Sequence, residues 1–280
     1  MSFTSLPMPA LSLMCEQFTY ATRKAVGKRR NTSLSAGIGI DSAEARKSAC
    51  ADSDFFRLDE ETEYDNRKTA FYLKLSESQV MEYCKKHNGS PNVFASVMLA
   101  RAARRLAHDD KNAIIVLVAV DCKAIFKIRN NYRAYAGNLT LSLPSDEKLN
   151  NTTEVFTMAR NQLKQHAGTE YINRELKKMK TTPMPPDAPM ASFTVSYPDT
   201  RSFKELSNHI EELYVTTSLS KITDMLCKIT CINNCFFLAF LQSFSSRCFL
   251  DCFLEELKSA NIDCEFLREE PIRLCEIKPL

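Results

Sequence analysis

With 280 residues, 44% of them hydrophobic and 25% charged, the chain can bury a sizeable core, which excludes a wholly disordered polypeptide. The net charge of +3 is small, and residues 1 to 70 carry 10 basic and 10 acidic side chains, so no global field for nucleic acid follows. No apolar run approaches the roughly 20 residues of a membrane span, and Met1 to Cys15 lacks the basic start of a secretory signal.

Residues Ala10 to Ala25 place Leu13, Met14, Phe18 and Ala21 at helical spacing, followed by the basic cluster Arg23, Lys24, Lys28, Arg29 and Arg30. Residues 1 to 30 thus read as an N-terminal helical segment with a solvated basic face. Periodicity then fades, and 31 to 69, rich in Ser, Ala and charge, reads as a linker or irregular region. From 70 to 280 the pattern is that of an ordered lobe.

The alternation Phe71-Tyr72-Leu73-Lys74-Leu75 predicts a strand, and Ser76-Glu77-Ser78-Gln79 is a capping box opening a helix that turns Val80, Tyr83 and Cys84 inward. Asn88-Gly89 ends that helix. Ser90-Pro91 starts the next, with a cap before a proline at the first helical position and a buried stripe of Phe94, Val97, Met98 and Leu106. Ala113 to Val120, β-branched and apolar on both faces, is expected at the centre of a sheet. A polar loop, Asp121 to Gly137, and a strand Leu139 to Leu143 follow. Thr152 to His166 reads as a helix capped by Asn151 or Thr152, burying Val155, Ala159 and Leu163. Prolines between Thr181 and Met190 precede a strand, Ala191 to Tyr197. Ile222 to Ile232 and Cys235 to Phe244 form a hairpin about Asn233-Asn234, residues that tolerate positive φ. Ser245 or Ser246 is expected to cap a last helix with Phe249, Leu250, Phe253, Leu254 and Leu257 inward, and Asp263 to Leu267 to add an edge strand. The fold class is α/β, an α+β sandwich with a mixed sheet and helices packed on it.

Chemistry-bearing motifs are sparse. Gly37-Ile38-Gly39 lacks the third glycine of a dinucleotide loop, and Ser218-Leu219-Ser220-Lys221 matches an acylating-serine pattern without its partner motifs. Cys84 and His87 share a helical face, but no second ligand pair with metal-site spacing accompanies them, so a packed thiol beside a surface imidazole is the expectation. Eleven cysteines, odd in number and irregularly spaced, read as free thiols in a reducing cytosol, and a cytoplasmic protein is expected. The stretch after the central strand places Lys123, Lys127, Arg129 and Arg133 among Phe126, Tyr132 and Tyr135. An anionic ligand could dock there, beside a strand's C-terminal end; a solvated basic loop is the plainer reading.

The order of these features resembles the C-terminal lobe of the chloramphenicol-acetyltransferase-like superfamily, which includes condensation domains and alcohol acyltransferases. The matching stretches are Phe71 to His87, Ser90 to Ala107 and Val118-Ala119-Val120-Asp121-Cys122-Lys123 leading to Gly137-Asn138. Phe193-Thr194-Val195-Ser196-Tyr197, the hairpin ending in Leu241-Gln242-Ser243-Phe244, and Phe249 to Leu257 complete them. The resemblance implies two lobes facing across a channel, with an acyl group passing from an acyl-CoA or carrier-protein thioester to a hydroxyl or amine. It implies that Lys123, Arg133, Gly137, Asn138, Ser196 and Gln242 line the donor side, and that no cofactor is tightly held. A carrier protein, a second lobe or a second copy of the chain become the expected partners, with neither nucleic acid nor a membrane span.

The family's proton acceptor is the histidine of a His-x-x-x-Asp-Gly motif in the first lobe. None of His87, His108, His166 and His209 is followed by Asp-Gly at that offset, and Lys123 stands where arginine is usual. Ser5 to Tyr20 would correspond to the helix after that motif, which places the motif before Met1. The expectation is therefore a lobe with no catalytic base of its own, either one part of an acyltransferase or a non-catalytic binding scaffold. An exposed apolar face where the first lobe should sit would favour the scaffold.

Overall fold

The computed structural model describes residues 55–58, 68–107, 112–127, 136–144, 146–174, 190–198, 208–216 and 223–272. The predicted segments 1–30 and 31–54, the Ser218 to Lys221 motif, and Arg133 lie outside them.

Seven strands form one mixed sheet: β1 (Thr69–Ser76), β2 (Ile114–Asp121), β3 (Ala136–Leu143), β4 (Phe193–Ser196), β5 (Met225–Ile232), β6 (Cys235–Gln242) and β7 (Cys264–Pro271). Their spatial order is β3-β2-β4-β5-β6-β1-β7. β4 runs parallel to β2 and β5, and every other pairing is antiparallel. The segment Ala113 to Val120 thus lies in one sheet with the Ala191 to Tyr197 strand and the asparagine hairpin, but not at its centre. β2 is one strand in from an edge, and β5 occupies the middle. A run apolar on both sides reports cover on two faces, which every interior strand has.

Five α-helices lie wholly within the described residues. α1 (Glu77–Lys86) begins at Ser76, whose hydroxyl accepts from the Gln79 amide, and α2 (Pro91–Leu106) at Ser90, which accepts from Val93. One short turn, α3 (Cys122–Phe126), follows β2 directly, and α4 (Thr152–His166) is capped by Asn151. Helix α5 (Cys248–Ser259) departs from expectation, since its cap position is Arg247, which makes no side-chain cap bond. The Ser246 hydroxyl accepts instead from the Cys248 amide at 3.4 Å. Between β5 and β6, Asn233 (φ 51°) and Asn234 (φ 59°) are both left-handed, as a two-residue hairpin requires.

Side chains alternate between the two faces of each strand. One face carries Phe71, Leu73, Val116, Val118, Phe193, Cys227, Phe236 and Phe240, all buried in the main core with α2 and α5. Phe193 stacks on Phe249 at 5.2 Å, and Phe240 meets Phe253 edge-on at 4.8 Å. Each such ring stabilises by roughly 1.5 to 3 kcal/mol through burial. Gly89, after α1, passes so close to this core that an added Cβ would overlap the ring of Phe156.

Residues 55–58, inside the stretch read as linker, are irregular but deeply placed. Phe55 bridges to Ala113, Phe56 and Leu58 are buried, and Arg57 forms a buried ion pair with Asp224 through Nε and Oδ2 at 2.9 Å. Asp224 also accepts from the Leu58 amide at 3.0 Å. This clamps the segment to the start of the central strand.

Candidate functional site

The opposite face of the sheet has a different chemistry. In-register partners on neighbouring strands share a face, so one row can be followed across six strands: Asn138 on β3, Ala119 on β2, Ser196 on β4, Lys228 on β5, Ala239 on β6 and Tyr72 on β1. Successive members stand about 4.8 Å apart. Arg268 on β7 pairs with Tyr72 and ends the row.

On the β6-β1-β7 side the row ends in an aromatic and ionic cluster, in which the Tyr214 hydroxyl is buried without a hydrogen-bond partner. Arg268 bonds Glu212 at 2.7 Å and Glu270 at 3.0 Å, and its guanidinium lies 4.4 Å from the Tyr72 ring and 4.9 Å from Tyr214. Tyr214 meets Tyr72 edge-on at 4.7 Å, and its hydroxyl is held protonated by burial first and then by Glu212. Residues 208–216 lie over this half: the Thr230 hydroxyl bonds the Leu213 carbonyl, and the Asn233 amide donates to Ile210 at 2.6 Å.

On the β3-β2-β4-β5 side the row carries three polar residues. Asn138 Oδ1 is buried with no hydrogen-bond partner. Ser196 and Lys228 are only 8% and 7% exposed. Burial lowers the Lys228 pKa from its ordinary value, with the neighbouring Cys227 opposing. Three polar side chains aligned across adjacent strands, one of them with an unfilled acceptor, make this the most polar stretch of the row.

Sequence-predicted residues fall around this row in part. Asn138 and Ser196 lie in it. Gly137 pairs with Val120 one position along, and Lys123 is the second residue of α3, four residues beyond Ala119, where Asp121 Oδ1 accepts from its amide at 2.8 Å. These four therefore gather at the C-terminal ends of the parallel strands β2 and β4, the end where open sheets bind ligands. Where a polar loop was expected after Asp121, a helical turn forms, because Asp121 caps it and Lys127 closes it at φ 53°. Gln242 is elsewhere. It pairs with Met225, three residues or about 10 Å along β5 from the row, on the helix-covered face. There its amide donates to the carbonyls of Phe244 at 2.9 Å and Ser246 at 2.7 Å, while its Oε1 is buried without a partner.

Lys228 carried no expectation from sequence, although Met225-Leu226-Cys227-Lys228-Ile229-Thr230 sets one lysine in an otherwise apolar run. That isolation was the available signal.

Several other reactive side chains are occupied or quenched. His166 Nδ1 meets the Thr140 carbonyl at 2.7 Å and its ring stacks on Tyr171 at 4.0 Å. His87 Nδ1 meets the Thr153 hydroxyl at 3.0 Å, and its ring packs on Tyr83. Burial pushes the thiols of Cys84, Cys231 and Cys264 up to about 12, so they are poor nucleophiles. Among the described residues no cluster of three metal-ligating side chains occurs, and no helix is long and apolar enough to cross a membrane.

Solved structures with this arrangement come from nonribosomal peptide synthetases. The chain is similar to FmoA3 in its α-methyl-L-serine-AMP form (10% identity, TM-score 0.52, over 79% of this chain and 25% of that one). It is similar to the four-domain synthetase AB3403 bound to AMP and glycine (10%, 0.51, 89% and 22%). The EpoB cyclization-docking bidomain of Sorangium cellulosum also matches (9%, 0.50, 90% and 57%). The chain spans little more than half the length even of the EpoB bidomain. No protein-family model matches it, and no curated protein does. The shared property is therefore the α/β architecture, a mixed sheet with helices packed on it.

Proposed function

We propose that this chain supplies one wall, the C-terminal lobe, of a two-walled acyl-transfer channel, in which an acyl group moves from a thioester to a hydroxyl or amine. What carries the reading is the row of polar groups on the sheet face opposite the helices, Asn138 with its unpartnered Oδ1, Ser196 and Lys228. It lies beside the C-terminal ends of β2 and β4, in a fold used by condensation domains. Lys123, Gly137 and Asn138 form the entrance for the anionic part of an acyl-CoA or carrier-protein thioester, Ser196 lies deeper, and Gln242 braces the turn after β6. No cofactor is resident.

The proton acceptor comes from a partner lobe. The described histidines of α1 and α4 are committed to packing and hydrogen bonds, and the chain has no His-x-x-x-Asp-Gly motif. Without a general base the rate falls by about 10² to 10⁴, so the isolated chain binds donors and turns them over poorly. The proposed setting is the cytoplasm, supported by eight described cysteines that are all free thiols.

Titration calorimetry with acetyl-CoA tests this. Saturable binding that Lys123→Ala weakens severalfold is the expected result, and no heat at millimolar donor refutes it.

A further inference from the structure

Residues 208–216 lie on the sheet face away from the helices without joining the sheet. Among the described residues no backbone group of this segment bonds the backbone of a strand, and none of its residues is buried as a whole. Side chains hold it in place. Tyr214 packs on the cluster of Ala70, Tyr72, Leu226, Ala239 and Leu241, meeting the Tyr72 ring edge-on at 4.7 Å and that of Phe237 at 5.5 Å. Glu212 pairs with Arg268 at 2.7 Å. The carbonyls of Leu213 and Ile210 accept from the Thr230 hydroxyl and the Asn233 amide.

Two of these attachments are easily undone. The side chains of Arg268 and Glu212 are each 39% exposed, so salt screens their attraction. The Tyr214 hydroxyl is buried with no hydrogen-bond partner, so the closed segment forgoes the bond that water would make to it, and lifting the ring restores that bond. The sheet beneath is held differently, because β6 is paired along its whole length to β5 on one side and to β1 on the other. Opening the segment therefore takes far less free energy than opening the strands it covers.

We propose that residues 208–216 form a strap that lifts from the sheet as a unit while the strands stay paired, with Glu212 and Arg268 as a salt-sensitive latch and the Tyr214 hydroxyl favouring release. Lifting bares the Tyr72 and Phe237 rings, so ionic strength sets how much of this face is open. Arg268 is the fixed half of the latch: its guanidinium lies 4.4 Å from the Tyr72 ring and bonds Glu270 on its own strand at 3.0 Å, contacts that do not involve the strap. Neither strap nor latch depends on the acyl-thioester reading.

Chymotrypsin cuts after Tyr214 only when that ring leaves the sheet, and mass spectrometry of the fragments follows the cut in the full chain, normalised to a synthetic peptide of residues 208–216 at the same salt. Cleavage after Tyr214 is expected while the bonds after Phe237 and Phe240 in β6 stay intact, and it should quicken up to about fivefold between low and high salt. Glu212→Gln, an exposed substitution, should give the faster rate at low salt and abolish the salt dependence. Tyr214→Phe keeps the ring and removes the unpaired hydroxyl, so it should slow the cut by about tenfold. Cleavage after Tyr214 only in step with cleavage inside β6 would overturn the strap. A salt-independent rate unchanged by Glu212→Gln would overturn the latch, and a faster cut in Tyr214→Phe would overturn the role of the hydroxyl.

Discussion

The two faces of one sheet obey different rules. Against the helices, Phe71, Phe193, Phe236 and Phe240 alternate with small apolar neighbours and leave little unsatisfied. On the other face the same strands carry Asn138, Thr194, Ser196, Lys228 and Thr230 among leucines and alanines. Of these, Thr194 meets Thr223 at 3.1 Å and Thr230 is bonded to the covering segment, while Asn138 Oδ1 stays unpaired. The comparison teaches that burial alone does not identify a core. A face can be largely buried and still carry a row of polar side chains among its leucines and alanines.

Mutations that open the helix-covered face should have the largest effects. Phe253→Ala removes a fully buried ring and should cost about 3 to 5 kcal/mol. Asp224→Ala strands a buried guanidinium and should cost a similar amount, about 3 to 5 kcal/mol; urea denaturation measures both. A smaller loss follows Gly89→Ala, about 1 to 3 kcal/mol, because the new methyl drives into the Phe156 ring. If that variant melts like the wild type, the packing of α1 against α4 is looser than described.

On the other face the sign should reverse. Lys228→Met should stabilise the protein by about 1 kcal/mol, since it removes a desolvated cation and keeps the volume. Burial lowers the folded-state pKa below 10.5, so in that interval the unfolded chain binds more protons and wild-type stability rises with pH. The gain from the substitution is therefore full below the folded-state pKa and has faded by the time the pH reaches 10.5. Melting temperatures across that range that show a loss at pH 7 would indicate a hidden partner for the lysine and undo the contrast between faces. The smallest effect belongs to the surface pair linking α2 to α5: Arg105→Ala should cost about 0.5 kcal/mol or less, diminishing in salt.

The sequence by itself determined the elements whose signals are local. Ser76, Ser90 and Asn151 start their helices because a side-chain oxygen can reach an amide two or three residues away, and Asn233-Asn234 turns because asparagine tolerates positive φ. Alternation likewise marked the β1 strand before its partners were known. Tertiary structure alone decided the rest. That β5 and not β2 lies at the centre, that Phe56 and Leu58 reach the core from an irregular segment, and that Gln242 sits away from Ser196 all depend on strand order, which no local pattern encodes. The row that joins Asn138, Ser196 and Lys228 spans 90 positions of chain and exists only in register, because cross-strand neighbours are fixed by hydrogen-bond pairing between segments distant in sequence.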